Sequence, residues 1–78
     1  MFPFTEKQGQ YLAFIYYYTK VHRRPPAEWE IQQFFRTSGP NVHQMIVRLE
    51  ENGLIRKIPW EARSIQVLVP PEMIPELK

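Results

Sequence analysis

The periodicity of the chain changes once. Tyr11, Leu12, Ile15, Tyr18 and Thr19 recur at the spacing of one helical face. Just upstream, Thr5-Glu6-Lys7-Gln8 has the form of a capping box, in which the Thr hydroxyl and the Gln amide satisfy free N–H groups at a helix start. A first helix is therefore predicted over about 5–21. It ends before Pro25-Pro26, which cannot continue it and which push Arg24 out of the helical region. Pro26 suits the start of a second, short helix over about 27–35, where Ala27, Ile31, Phe34 and Phe35 share a face. Arg36-Thr37-Ser38-Gly39 breaks the pattern. Ser38 then caps a third helix that tolerates Pro40 in its first turn and buries Val42, Met45, Ile46 and Leu49. Asn52-Gly53 is a left-handed stop.

Beyond Gly53 the period becomes two. Leu54–Ile58 and Ser64–Val69 read as strands, with Pro59-Trp60-Glu61-Ala62-Arg63 as the hairpin tip. Pro70-Pro71 ends the second strand. The expected organisation is one domain over about 1–70 and a short C-terminal tail over about 71–78. Two helices joined by a tight Gly-containing break, followed by a hairpin, make the predicted class mainly α with a small β-hairpin, a three-helix winged helix-turn-helix. Such a fold also serves protein binding, so function must come from the residues it displays.

At about 100° per residue, Pro40, Asn41, Gln44, Val47, Arg48 and Glu51 point away from the buried stripe of the third helix, and His43 lies at the border. Ser38, Asn41, His43 and Gln44 thus form an exposed edge of uncharged donors and acceptors. Such side chains read base edges in a DNA major groove, with Asn and Gln suited to adenine. A plain solvated helix face carries the same residue types, and the pattern alone does not separate the two. Arg48, Arg56, Lys57 and Arg63 are the candidate phosphate contacts, which would position the helix without reading sequence. Arg23-Arg24 and Arg36 stand at helix ends, and Glu50, Glu51 and Glu61 oppose a phosphate from nearby. With four or five such contacts, the log–log salt slope would be about −4.

Composition narrows the field. Ten Lys and Arg against eight acidic residues give a formal charge of +2, which permits a polyanionic partner without demanding one. There is no cysteine, hence no disulfide and no thiolate zinc site. There is no Asp either. Ser38 and Ser64 are explained by capping and by a strand start, His22 and His43 alone form no zinc set, and Gly9, Gly39 and Gly53 form no phosphate loop. The expectation is no enzyme, no cofactor, no metal and no small-molecule ligand. The apolar run Tyr11–Tyr18 falls far short of the ~20 residues that span a bilayer. Met1-Phe2-Pro3-Phe4 lacks a basic leader. No membrane partner is expected, and a bacterial-type cytoplasmic location is, on the nucleoid when DNA is bound.

Phe14, Tyr17 and Val21 form a second apolar stripe on the first helix, with Tyr16 beside it: a candidate homodimer or partner surface, unless Met73, Ile74 and Leu77 of the tail fold back over these rings. Trp29 faces away from the second helix's core side. Trp60 either stacks on a sugar or covers the edge of the core.

Several stretches together resemble the N-terminal DNA-binding domain of the LexA repressor family. They are Thr5-Glu6-Lys7-Gln8, Pro25-Pro26 with Glu30-Ile31, Val42-His43, the run Arg48-Leu49-Glu50-Glu51-Asn52-Gly53-Leu54-Ile55-Arg56-Lys57, and then Arg63, Ile65 and Val67. The resemblance covers about residues 5–69. It implies a winged helix-turn-helix that binds double-stranded DNA and represses transcription. Ser38, Asn41, His43 and Gln44 would then face the groove, and Arg63 would sit in a wing touching backbone or minor groove. Two features depart from the family: Phe35-Arg36-Thr37 stands where a Gly is usual near the end of the second helix, and Ala27 replaces a Ser or Thr cap, at about 1 kcal/mol. The self-cleaving domain, with its Ala-Gly site and Ser/Lys dyad, has no counterpart in this sequence, so autoproteolysis and its dimerisation are not implied. The competing reading is a winged-helix protein–protein interaction module that uses the aromatic face of the first helix and does not bind DNA.

Overall fold

The computed structural model describes residues 3–78. Met1 and Phe2, on which part of the leader reading rests, lie outside them. Three helices, α1 (Glu6–His22), α2 (Glu28–Phe35) and α3 (Gly39–Glu51), are followed by a two-stranded antiparallel hairpin, β1 (Ile55–Arg56) and β2 (Gln66–Val67). In the hairpin Ile55 pairs with Val67 and Arg56 with Gln66. The fold is the expected winged helix-turn-helix.

Each boundary has a local cause. The capping box at α1 is complete: the Gln8 N–H donates to Thr5 Oγ1 at 3.1 Å, and the Thr5 N–H donates to Gln8 Oε1 at 2.9 Å. At α2 the Ala27 cap has no side-chain acceptor, but Glu30 Oε1 reaches back to the Ala27 N–H at 2.8 Å and supplies half of a capping box. Ser38 Oγ accepts from the Asn41 N–H at 3.2 Å and starts α3. Gly53, at φ 72°, ends it. The Gly53 N–H bonds to Glu50 and the Leu54 N–H to Leu49, the pair of a Schellman motif. At the end of α2, Arg36 itself takes the left-handed conformation that glycine adopts most readily, at φ 52°.

The core is one cluster: Tyr11, Leu12, Phe14 and Ile15 from α1, Ile31 from α2, Val42, Ile46 and Leu49 from α3, and Leu54, Ile55, Ile65 and Val69 from the hairpin region. Met45, Tyr18 and Phe35 pack against it half-buried, and Phe35 stacks on Tyr11 with ring centroids 4.3 Å apart. Phe34, expected on the core face, keeps 43% of its surface exposed.

Two expectations need correction. The strands are two residues each rather than five or six. Ser64 accounts for the early end: its hydroxyl accepts from the Ile58 N–H at 3.0 Å, so a side chain takes the place of the next ladder partner. The second correction is Phe14, which is buried against Phe34 (centroids 4.5 Å), Tyr18 and Phe35. It belongs to the core, not to a free stripe.

The tail does fold back, but onto the first turns of α1. Gln10 donates to the Glu76 carbonyl and accepts from the Lys78 N–H, both at 2.8 Å, and Lys78 Nζ meets Glu6 at 2.7 Å. Gly9 lies under it. A Cβ there would sit 2.9 Å from the Phe4 ring and 3.1 Å from Pro75. The tail leaves Tyr17 and Val21 exposed, and it stays on α1.

Candidate functional site

α3 is 13 residues, about 20 Å long. Its buried stripe of Val42, Ile46 and Leu49 points the opposite side outward, and Asn41, His43, Gln44, Val47 and Arg48 are all exposed. The four residues expected to face bases lie together on its N-terminal half, in different states. Ser38 is engaged as the helix cap. Asn41 Nδ2 donates to Thr37 Oγ1 at 3.0 Å, which orients the amide. His43 Nδ1 lies 3.5 Å from a Glu28 carboxylate oxygen, an ion pair whenever the imidazole is protonated. Gln44 has no hydrogen-bond partner among the described residues.

The cations divide sharply. Arg48 has no ion-pair partner among the described residues, and with Asn41 and Gln44 it lines a shallow hollow of about 220 Å³ whose far wall is Lys7 and Tyr11. Lys7 was not singled out in the sequence: its place in the first turn of α1 says nothing about which helix lies alongside. Arg56 is exposed and donates through Nε to Gln66 at 2.9 Å. Lys57 is held by Glu28 at 3.4 Å. Arg63 is not free at all. Its guanidinium binds Glu30, reaches Tyr18 Oη at 3.4 Å and keeps 28% of its side-chain surface exposed. Expected as a phosphate contact, it has two internal acceptors within reach, on α1 and α2.

Tyr18 also donates its hydroxyl to Glu30, so one carboxylate collects Tyr18, Arg63 and the Ala27 N–H. Burial alone would push the Glu30 carboxyl up. The hydrogen bonds from Tyr18, Ala27 and Arg63, with the positive charge of Arg63, outweigh it and bring the group down to about 2. This clamp fastens the wing to α1 and α2. Glu28 adds a second fastening, since it touches both Lys57 at the wing root and His43 on α3. The wing and the N-terminal half of α3 are thereby set side by side.

At the wing tip the Glu61 N–H bonds to the Ile58 carbonyl at 3.2 Å, with Pro59 and Trp60 between them and Trp60 at φ 65°. Proline followed by a positive φ is the pattern of a type II turn, whose second central position favours glycine. A tryptophan there costs about 1–2 kcal/mol in backbone strain. It is fully exposed, so of its two expected roles covering the core edge is not the one it plays. Trp29 is also half out in solvent, as its position on α2 implies.

No cluster of His, Cys, Asp or Glu able to hold a metal occurs among the described residues, and no helix among them is long and apolar enough to cross a membrane.

No protein-family model matches the chain. Among curated proteins it is similar to the LexA repressor of Bartonella quintana, with 38% identity over 71 residues, 90% of this chain. The chain spans 30% of that protein's length.

Proposed function

We propose that this domain binds double-stranded DNA sequence-specifically, as the DNA-binding part of a transcriptional repressor. The observation that carries the reading is the outward edge of α3, where Gln44 and Arg48 stand without partners among the described residues beside an oriented Asn41. Neither the tail nor the wing covers it. A helix of this length enters a major groove about 12 Å wide. Asn41, Gln44 and His43 are the base readers, with Ser38 at the helix start. Lys7, Arg48 and Arg56, none of them in an ion pair among the described residues, meet phosphates, while Lys57 stays with Glu28. The similarity to a LexA repressor over nearly the whole chain supports the same reading. The role is binding rather than catalysis, and its setting is the bacterial cytoplasm.

Self-association, where it occurs, uses Tyr17 and Val21, the part of the helix 1 stripe that remains exposed. Sedimentation of the Tyr17→Ser, Val21→Ser variant tests it.

Selection of bound duplexes from a random pool tests the DNA reading. The expected result is one enriched motif, with affinity falling at a log–log salt slope of about −3, as three free cations require. Binding that ignores sequence, or no binding at low salt, would leave the α3 edge without this role.

A further inference from the structure

We infer that Glu28 is a positioning residue for base recognition: its carboxylate fixes the proton of a neutral His43 on Nδ1, so that Nε2 meets the duplex as an acceptor in the neutral ring and as a donor in the protonated one. The inference rests on the proposed DNA binding and gives one base position of that site its chemistry. His43 keeps 59% of its side-chain surface exposed, on the N-terminal half of α3. Its Nδ1 lies 3.5 Å from Glu28 Oε1 on α2. A carboxylate at that distance attracts an N–H and repels a lone pair, so the neutral ring carries its proton on Nδ1. The two nitrogens of an imidazole point in diverging directions, which turns Nε2 away from Glu28. A neutral His43 therefore offers an acceptor there, suited to the exocyclic amino group of adenine or cytosine. A protonated His43 offers a donor, suited to guanine N7 or O6. Histidine is the side chain that ordinarily changes charge between about pH 5 and 8, so the base preferred at this position changes with pH.

The charged groups around His43 support this division of roles. Glu28 faces it from α2, and the other Glu28 oxygen, Oε2, is held by Lys57 Nζ at 3.4 Å. Glu61 and Arg63 of the wing line the same hollow as Glu28 and Lys57, and Arg63 is committed to Glu30. Lys7 of α1 and Arg48 line the hollow of Asn41 and Gln44, which His43 does not line. Lys57 thus has a part of its own. It cancels the charge of Glu28, so that a carboxylate can stand beside a recognition edge without repelling phosphate. Protonation of His43 then takes the trio of Glu28, Lys57 and His43 from neutral to singly positive, while the carboxylate goes on holding Nδ1.

The test uses the full chain. At about pH 8 the ring-nitrogen NMR shifts of His43 should show the Nδ1–H tautomer in the parent. In Glu28→Ala they should show the Nε2–H tautomer, which a histidine without a partner favours. Selection of bound duplexes at about pH 8 and about pH 5.5 reads the consequence. The position that belongs to His43 is the one that His43→Ala relaxes, a change at an exposed side chain that leaves the fold alone. There the parent should prefer adenine or cytosine at the higher pH and guanine at the lower, each by about fivefold. Glu28→Ala should prefer guanine at both, because its Nε2–H donates throughout. The same tautomer in parent and Glu28→Ala, or a parent preference that pH does not change, overturns the inference. Failure of the parent to bind any selected duplex overturns instead the DNA-binding reading beneath it, and the NMR comparison, made without DNA, still decides whether Glu28 sets the proton of His43.

Discussion

Arg48 on α3 and Arg63 in the wing are the same residue type in one small domain, yet they live in opposite circumstances. Arg48 faces water with no acceptor among the described residues, beside Lys7 and Gln44. Arg63 is bound to Glu30 and Tyr18 and holds the wing against two helices. The difference teaches that a basic residue's availability to a partner is read only after its internal acceptors are counted. One arginine is left open to solvent, and the other holds the wing to the helices.

Breaking the rigid half should have the largest effect. Glu30→Gln removes the charge that collects Arg63 and should lower the thermal midpoint by roughly 5–10 °C at neutral pH. The Glu30 carboxyl is depressed in the fold, so its stabilisation is complete above the ordinary value near 4.5 and is lost as pH falls toward about 2. The gap in midpoint between parent and variant should close over that window. A gap that persists at pH 2 would show that the clamp is not held by the ionised carboxyl.

Breaking the free half should leave stability alone. Gln44→Ala should cost about 1–3 kcal/mol of binding at one base position and relax specificity there. Its melting curve should match the parent, since the side chain has no hydrogen-bond partner among the described residues. Selection with the variant checks both statements, and an unchanged motif would remove Gln44 from the base readers.

Arg36→Gly sharpens the comparison at its hinge. Arg36 sits at φ 52° between α2 and α3, so glycine should raise stability by about 1 kcal/mol, read in a denaturant titration. The smallest effect belongs to Arg48→Ala and Lys7→Ala. Each should weaken all sequences alike and flatten the log–log salt slope by about 1. Arg63→Ala should not follow them: it should lower the thermal midpoint first, as Glu30→Gln does.

The helices were legible in the sequence because their starts and stops are local chemistry. Thr5 with Gln8, Ser38, and Asn52-Gly53 act within a few residues of themselves, and each boundary fell within a residue of expectation. The outward edge of α3 was legible for the same reason, since periodicity fixes a face. Pairings across elements were not. Nothing near Arg63 announces Glu30, 33 residues earlier in the chain, and nothing near Lys7 announces α3. Phe14 was misread because the double ring Phe34-Phe35, which turns it inward, belongs to another helix. The strands shortened because one hydroxyl, that of Ser64, can replace a backbone partner.

The tail brings Lys78 Nζ within 2.7 Å of the Glu6 carboxylate, so the last residue is fastened to the first turn of α1. A ring closed from residue 78 to residue 3 through a linker of glycines would keep the Lys78–Glu6 contact in the folded state. It would subtract freedom only from the unfolded one. A ring of this kind should melt higher than the linear chain while presenting an unaltered α3, and it could be reopened inside the wing without detaching a single helix.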